Sequence, residues 1–367
     1  MGMEEVLPSL RRWTEEGARA GVATLVGYRR SAPRRPGARF AASDGGEVEG
    51  SVSSGCVEGD LHEHIQRVLE EGEPRRQRYG ITDEMAMEVG LSCGGEIDVL
   101  VEAFDPDAEA WRALERALEA DEAAVLVQGL SEGIRGRAML VELDGSRAGS
   151  LGDGELDRRA ADAASALLDG GGARTIELEE PDATVFAEAY LPPDRLVIVG
   201  ASPVAEELCR LAHRLDFAVT LVDPREAFAD PAKFPDAERV VHAWPDEALG
   251  ELGLDPYVNV VVLSHDQKLD EPALAAALEA GCRYVGQIGG GRTQRMRREA
   301  LRERGLDEDR IDGISGPVGL EIGAVTPGEI ALSILAELVA VRRGAAEPSI
   351  RPSGAAAGPR YGDGDAG

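Results

Sequence analysis

Apolar residues recur at helical spacing from the start of the chain. Val6, Leu7, Leu10 and Trp13, with Ala18, predict an amphipathic helix over 4–18. The apolar run 21–30 has the length of a strand. Residues 37–52 read as two strands joined by the turn Asp44-Gly45-Gly46. A helix is expected from about Glu58 to Glu71, followed by a polar loop and then an alternating strand over 95–104. Further on the pattern predicts a helix over 107–120, strands near 123–128 and 136–143, a helix over 153–169, and strands near 173–178 and 184–190. This half mixes α and β without βαβ alternation, and no internal repeat is legible in it.

Pro192-Pro193-Asp194 interrupts the last of these strands and marks a boundary. Beyond it, strands 195–200, 217–222, 258–263 and 283–287 alternate with helices 203–215, 270–281 and 292–304, the signature of a parallel sheet covered on both faces. Thr326, Pro327 and Glu329 spell a capping box with proline in the first turn, and open a helix expected to reach Arg343. The expected class is therefore α/β, with an N-terminal α+β domain over 1–192 and a C-terminal Rossmann-like parallel-sheet domain over 193–343. Residues 344–367 hold too little apolar content to pack and are expected to be disordered.

Composition narrows the partners. A chain of 367 residues suits two domains. The formal net charge is −29, and the lysines are confined to Lys233 and Lys268. Such a surface repels phosphate backbones and anionic membranes, so neither nucleic acid nor membrane is an expected partner. The even spread of acidic residues suits a halophilic surface in screening salt. No run of ~18 apolar residues occurs. The N-terminus lacks a basic region followed by an apolar one, and Val6 stands where a myristoylation signal needs Ser or Thr. The expected location is cytoplasmic. Four cysteines in a chain of this length do not suggest a disulfide framework.

Candidate chemistry gathers in turns. The stretch 195–223 has the form of a dinucleotide-binding βαβ unit, its strand ending at Gly200 and its second strand running into Asp223. Against G-x-G-x-x-G/A it reads Gly200, Ser202, Ala205. Gly200, Ser202, Asp223 and Arg225 are the candidate dinucleotide contacts, with Asp223 placed to meet a ribose hydroxyl and the free amides of the helix N-terminus to meet a phosphate. Ser264-His265-Asp266 and the loop Gly286–Thr293 with Arg292 also fall at expected carboxyl ends of strands, where ligands of open α/β sheets bind. The loop could cradle an anion, and His265-Asp266 could act as an acid/base pair or serve only in capping.

Two cysteines lie in Gly-rich turns, "GSVSSGCVEGD" (50–60) and "GLSCGGEIDVL" (90–100). Cys56 precedes the expected helix by two residues, where the helix dipole favours a thiolate, while the neighbouring Glu58 opposes one. Cys56, Cys93, His62 and His64 match no zinc spacing. No His/Asp arrangement attaches to either cysteine to make a nucleophile. Cys209 and Cys282 fall within expected elements or at their edges as apolar residues. For Cys56 and Cys93, a ligand role and a plain tight turn both stay open.

The segments "SVSSGCVEGDL", "GLSCGGEIDVLVE", "RLVIVGASPVAEELCRLAHRLDFAVTLVDPR", "VVVLSHDQKLDEPALAAALEAGCRYVGQIGG" and "GPVGLEIGAVTPGEIALSILAELVAVR" together resemble the XdhC/CoxI family, the accessory proteins of xanthine dehydrogenase and carbon monoxide dehydrogenase. The resemblance spans the chain to about residue 343. It implies a chaperone and not a metabolic catalyst: a protein that binds molybdenum cofactor (molybdopterin), supports its sulfuration by a cysteine desulfurase, and inserts it into an apo molybdenum hydroxylase. On this resemblance Cys56 and Cys93 would contact the cofactor or its molybdenum, with Glu58 near them and Gly55, Gly94 and Gly95 admitting its bulk; a homodimer is also possible in such a protein. The family turn usually reads S-G-G-C-V-E, where this chain has Ser54, and G-A-G-H-V-A, where it has Ser202 and Pro203. An NAD(P)-dependent oxidoreductase built on Gly200, Asp223 and His265-Asp266, and a docking module, are the rival readings.

Overall fold

A computed structural model describes residues 2–81, 95–180 and 182–345. The chain divides into two compact units, Met1–Pro192 and Pro193–Gly367. The fold is α/β: two antiparallel sheets with helices come first, and a parallel Rossmann-like sheet follows.

The first unit begins with α1 (Met3–Glu15), β1 (Ala20–Arg29), β2 (Arg39–Ser43), β3 (Val48–Gly50), α2 (Glu58–Glu71), β4 (Arg75–Ile81) and β5 (Gly95–Ala103). It continues with α3 (Glu109–Glu119), β6 (Ala124–Gly129), β7 (Ala138–Glu142), β8 (Arg147–Gly149), α4 (Gly154–Gly170), β9 (Ala173–Glu179) and β10 (Asp182–Tyr190). The sheets are ordered β3-β2-β1-β5-β4 and β8-β7-β6-β10-β9, and every pairing is antiparallel. Among the described residues, both halves therefore run helix, three strands, helix, two strands in one topology. This corrects the expectation of no repeat. The repeat is carried by the order and pairing of the strands and helices.

Each apolar stripe explains one layer. Val6, Leu7, Leu10 and Trp13 on α1 pack with Trp111, Ala113 and Leu114 on α3 and with Leu126 and Leu140 of the second sheet. Leu61, Ile65 and Val68 on α2 cover the other face of the first sheet, against Leu25, Phe40 and Val99. Fully burying a leucine or isoleucine of this kind contributes about 1.5–3 kcal/mol. Where the sequence pattern indicates a polar loop, the chain forms β4. That strand carries Arg75, Arg76, Arg78 and Tyr79 with no apolar alternation, because it is an edge strand. Its pairing with β5 is reinforced by Arg76, whose guanidinium lies 2.5 Å from Asp98.

The second unit holds β11 (Arg195–Val199), α5 (Pro203–His213), β12 (Ala218–Val222), β13 (Arg239–Val241), α6 (Pro245–Glu251), β14 (Val258–Val262), α7 (Gln267–Glu279), β15 (Tyr284–Gln287), α8 (Gly291–Glu303), α9 (Glu308–Asp312) and α10 (Pro327–Arg342). The sheet order is β13-β12-β11-β14-β15, all parallel, so the strand order reverses between β11 and β14. The short elements β13, α6 and α9 have no counterpart in the sequence pattern; three to seven residues carry too little period to read. The capping box at Thr326 forms as expected, with the Glu329 amide donating to Thr326 and the Glu329 carboxylate accepting from the Thr326 amide at 2.8 Å.

Candidate functional site

The turn around Cys56 is built on Glu58. Gly50 ends β3 at φ +80°, where a Cβ would stand 2.3 Å from the Arg39 carbonyl oxygen, so only glycine lets the chain leave the sheet there. The chain then wraps around a single carboxylate. Glu58 Oε1 accepts from the Ser51 hydroxyl (2.5 Å), the Val52 amide (3.0 Å) and the Ser53 amide (2.8 Å). Its Oε2 accepts from the Ser53 hydroxyl (2.5 Å), the Gly55 amide (2.9 Å) and the Val57 amide (3.2 Å). Six donors converge on one anion. Burial opposes the charge, but the hydroxyls of Ser51 and Ser53 and the surrounding amides outweigh it and lower the carboxyl to about 2.

Glu58 is thus an internal staple of the turn, a role the sequence pattern does not assign to it. The signal is present as serines at 51 and 53 ahead of an acidic first helical residue, but no propensity rule reads that spacing. Ser54 adopts φ +63° and Gly55 φ +114°. Ser54 therefore takes the left-handed conformation that glycine would adopt without the roughly 1–2 kcal/mol cost of a side chain. Its amide donates to Ser51 Oγ at 2.8 Å. Cys56 follows, half-buried against the core beneath α2. Apart from its chain neighbours, no atom of the described residues lies within 4 Å of a Cβ placed on Gly55.

The depressed Glu58 carboxyl makes a pH prediction. Its folded value lies below the ordinary 4.5, so its stabilisation is full above pH 4.5 and is lost as pH falls toward 2. Discounted for screening at this half-exposed position, the shift corresponds to roughly 1–2 kcal/mol at neutral pH. In urea unfolding, wild type should exceed Glu58→Gln by up to that amount at pH 7, and the gap should close by pH 2. A gap independent of pH would refute the staple.

Other site candidates fare differently. Cys93 and Gly94 lie outside the described residues. The expectation that Gly95 leaves room for a bulky ligand is corrected: a Cβ there would meet the Ser31 carbonyl oxygen at 2.0 Å and that of Arg29 at 2.8 Å. Its small size serves a close approach of backbones. His64 pairs with Asp60 at 3.3 Å, and among the described residues no group of three or more His, Cys, Asp or Glu could hold a metal ion. Cys209 is buried in the core of the second unit, and Cys282 packs against its neighbouring core. Burial pushes both thiols up, to about 11 and about 12, away from reactivity.

In the second unit, Gly200 (φ +101°) allows the end of β11 to approach Ser264, whose amide nitrogen would be 2.6 Å from an added Cβ. Ser202 is extended and caps α5, accepting from the Ala205 amide at 3.2 Å, with Pro203 at the first helical position. The substituted pair therefore makes a well-capped helix start. Asp223 is fully buried and accepts from the Ala201 amide at 2.8 Å and from Arg225, whose guanidinium lies 2.6 Å away. Burial raises its carboxyl, but Arg225 and the amides prevail and hold it below the ordinary value. The acceptor expected for a ribose and the turn amide expected for a phosphate satisfy one another. Asp266 caps α7 through the Lys268 amide at 3.0 Å, while the neighbouring His265 is exposed. Arg292 is exposed in the first turn of α8, whose N-cap residue, Gly290, supplies no side-chain cap.

The two units match known sequence families in the same order along the chain. A sequence profile described as the XdhC and CoxI family matches residues 13–80 and 117–179, and one described as the XdhC Rossmann domain matches residues 196–338. A protein of Bacillus subtilis (strain 168) whose name describes it as one of the probable xanthine dehydrogenase subunits is 27% identical over 334 residues, 90% of this chain and 95% of that protein. The molybdenum cofactor insertion chaperone PaoD of Escherichia coli (strain K12) is 26% identical over 336 residues, 92% of this chain and 87% of that protein. The crystal structure of a xanthine dehydrogenase from Bacillus halodurans is 27% identical, with a TM-score of 0.61 over 94% of this chain and 98% of that one.

Proposed function

The chain belongs to the XdhC and CoxI family, and from that premise we propose that it is a chaperone that carries molybdenum cofactor as cargo. It binds the cofactor, supports its sulfuration by a cysteine desulfurase, and inserts it into an apo molybdenum hydroxylase of the xanthine dehydrogenase or carbon monoxide dehydrogenase type. The relation to PaoD supports this reading over that of a catalytic component of the hydroxylase.

The observation that carries it is the Cys56 turn. A thiol suits molybdenum and its dithiolene, which favour sulfur ligands. Cys56 stands on a loop with left-handed residues before it, and among the described residues nothing beyond the chain neighbours crowds Gly55. The Val52, Ser53, Gly55 and Val57 amides are committed to Glu58 and that of Ser54 to Ser51, so the turn offers the cargo a sulfur rather than a phosphate cradle. The same geometry weakens the dinucleotide alternative, because Asp223 and the Ala201 amide are paired with each other.

Co-purification tests the proposal. Protein from a host making molybdenum cofactor should carry pterin, measured as a fluorescent oxidation product, and Cys56→Ser should retain it at least about tenfold less well, equivalent to 1.4 kcal/mol. Protein free of pterin and molybdenum, together with undiminished hydroxylase activation by Cys56→Ser and Cys93→Ser, would sink it.

A further inference from the structure

The two repeats of the first unit contain the same carboxylate-centred loop, and they differ in one respect. Gly50 and Gly149 both end the third strand of their repeat with left-handed φ, +80° and +85°. Their added Cβ atoms would meet the Arg39 and Ala138 carbonyl oxygens at 2.3 and 2.5 Å. A serine follows each, and an acidic residue follows each serine by seven. Ser51 Oγ donates to Glu58 at 2.5 Å and Ser150 Oγ to Asp157 at 2.7 Å; the next amides, Val52 and Leu151, donate to the same carboxylates at 3.0 and 2.7 Å.

After that the copies part. In the second repeat α4 begins at Gly154, capped by Asp153 through the amides of Glu155 and Leu156, and Asp157 lies within the helix. In the first repeat α2 begins only at Glu58, with no side-chain cap from Val57. Counted from the shared glycine, Cys56 occupies the place of Glu155, in a turn that is helical in one copy and unwound in the other. The longer glutamate also reaches the Ser53, Gly55 and Val57 amides, and of these Val57 matches Leu156, whose amide the Asp153 cap holds in the second repeat. Asp157, one methylene shorter, holds only Ser150 and Leu151.

We propose that Glu58 is a positioning residue that holds the first turn of α2 unwound, so that Cys56 is displayed on a loop instead of a helix. The proposal rests on the reading of Cys56 as the cargo contact. It gives Glu58 a part in cofactor handling without contact to the cofactor. The Gly55 and Val57 amides turn onto Glu58 where the second repeat places Gly154 and Leu156 in its first helical turn, and six donors compensate for the lost turn.

The test substitutes the residue that the second repeat uses. In full-length protein with Cys93→Ser, Cys209→Ala and Cys282→Ala, Cys56 is the one remaining thiol, and iodoacetamide reports its rate of alkylation across pH. Glu58→Asp should change that rate at least about fivefold and move its pH midpoint, since thiol reactivity follows thiolate fraction and access. Ser51→Ala, which removes one donor of six, should change it about twofold in the same direction, and carries the test if the aspartate variant does not fold. A pH–rate profile within the error of the parent for the folded variants would overturn the proposal. Pterin retention separates this from the cargo reading: altered alkylation with unchanged retention leaves Glu58 as the positioning residue and removes Cys56 from cofactor binding.

Discussion

Arg39→Leu is expected to lower the unfolding free energy of the N-terminal unit by about 3–5 kcal/mol, the usual cost of stranding a buried charge. Arg39 is fully buried on β2, with a guanidinium nitrogen 2.5 Å from Glu188 on β10 and a second donating to the Gly37 carbonyl at 3.0 Å. The Tyr190 hydroxyl donates to the same Glu188 at 2.7 Å, and Glu102, paired with Gln128, shares the field of Arg39. Removing the cation leaves Glu188 in the protein interior with a second carboxyl nearby. Trp13 and Trp111 are buried in the shared core of this unit, so tryptophan fluorescence during urea unfolding measures the effect. A loss below about 1 kcal/mol, the range of an exposed ion pair, would contradict it.

The same cluster has a pH signature. Burial raises the Glu102 carboxyl to about 7 against the lowering by Arg39 and Gln128. Between pH 4.5 and 7 the folded chain keeps a proton that the unfolded chain has released. The stabilisation from Glu102 is therefore full below about pH 4.5 and lost as pH rises through 7, a slope opposite in sign to that of Glu58. Glu102→Gln should remove that slope.

Arg297→Leu should destabilise the second unit by a comparable amount, about 3–5 kcal/mol. Arg297 on α8 is almost fully buried and bonds to Asp270 in the first turn of α7, itself fully buried. It also donates to the Ile288 carbonyl at 2.5 Å and to the Ser264 carbonyl at 3.3 Å, joining the ends of β14 and β15 to two helices. Without it Asp270 retains the Ser264 hydroxyl, at 2.6 Å. Hydrogen exchange of the β14 and β15 amides is the measurement. Adding Asp270→Asn should recover about half the loss, because the stranded group is then neutral. No recovery would mean that the arginine acts through packing alone.

Much of the fold is legible in the sequence because its signals are local. The helix at Glu58, the capping box at Thr326 and the alternation of strands and helices after Pro193 each depend on residues within one or two turns of each other. So does the likeness to XdhC/CoxI proteins, carried by short runs of neighbouring residues. β4 is illegible for the converse reason: its arginines have no period, and only hydrogen bonding to β5 makes them a strand.

The candidate site is legible as a place and not as a mechanism. Cys56 stands out in its glycine turn, but the sequence presents Glu58 only as a neighbour that disfavours a thiolate. Six donors converge on Glu58 only when residues 51–57 are folded back on themselves. The space that the lack of a side chain suggests at Gly95 is filled by the Ser31 carbonyl. Asp223 has the position of a ribose acceptor, yet its partners are Ala201 and Arg225. By itself the sequence determined the longer helices and the periodic strands, and which family its motifs resemble, since periodicity, caps and motifs belong to neighbouring residues. The duplicated first unit, the Arg39–Glu188 and Arg297–Asp270 pairs, and the partners of each polar group in the site were decided by tertiary structure. A buried charge or an amide is satisfied by whatever group folding brings within about 3 Å, and that pairing belongs to two distant positions at once.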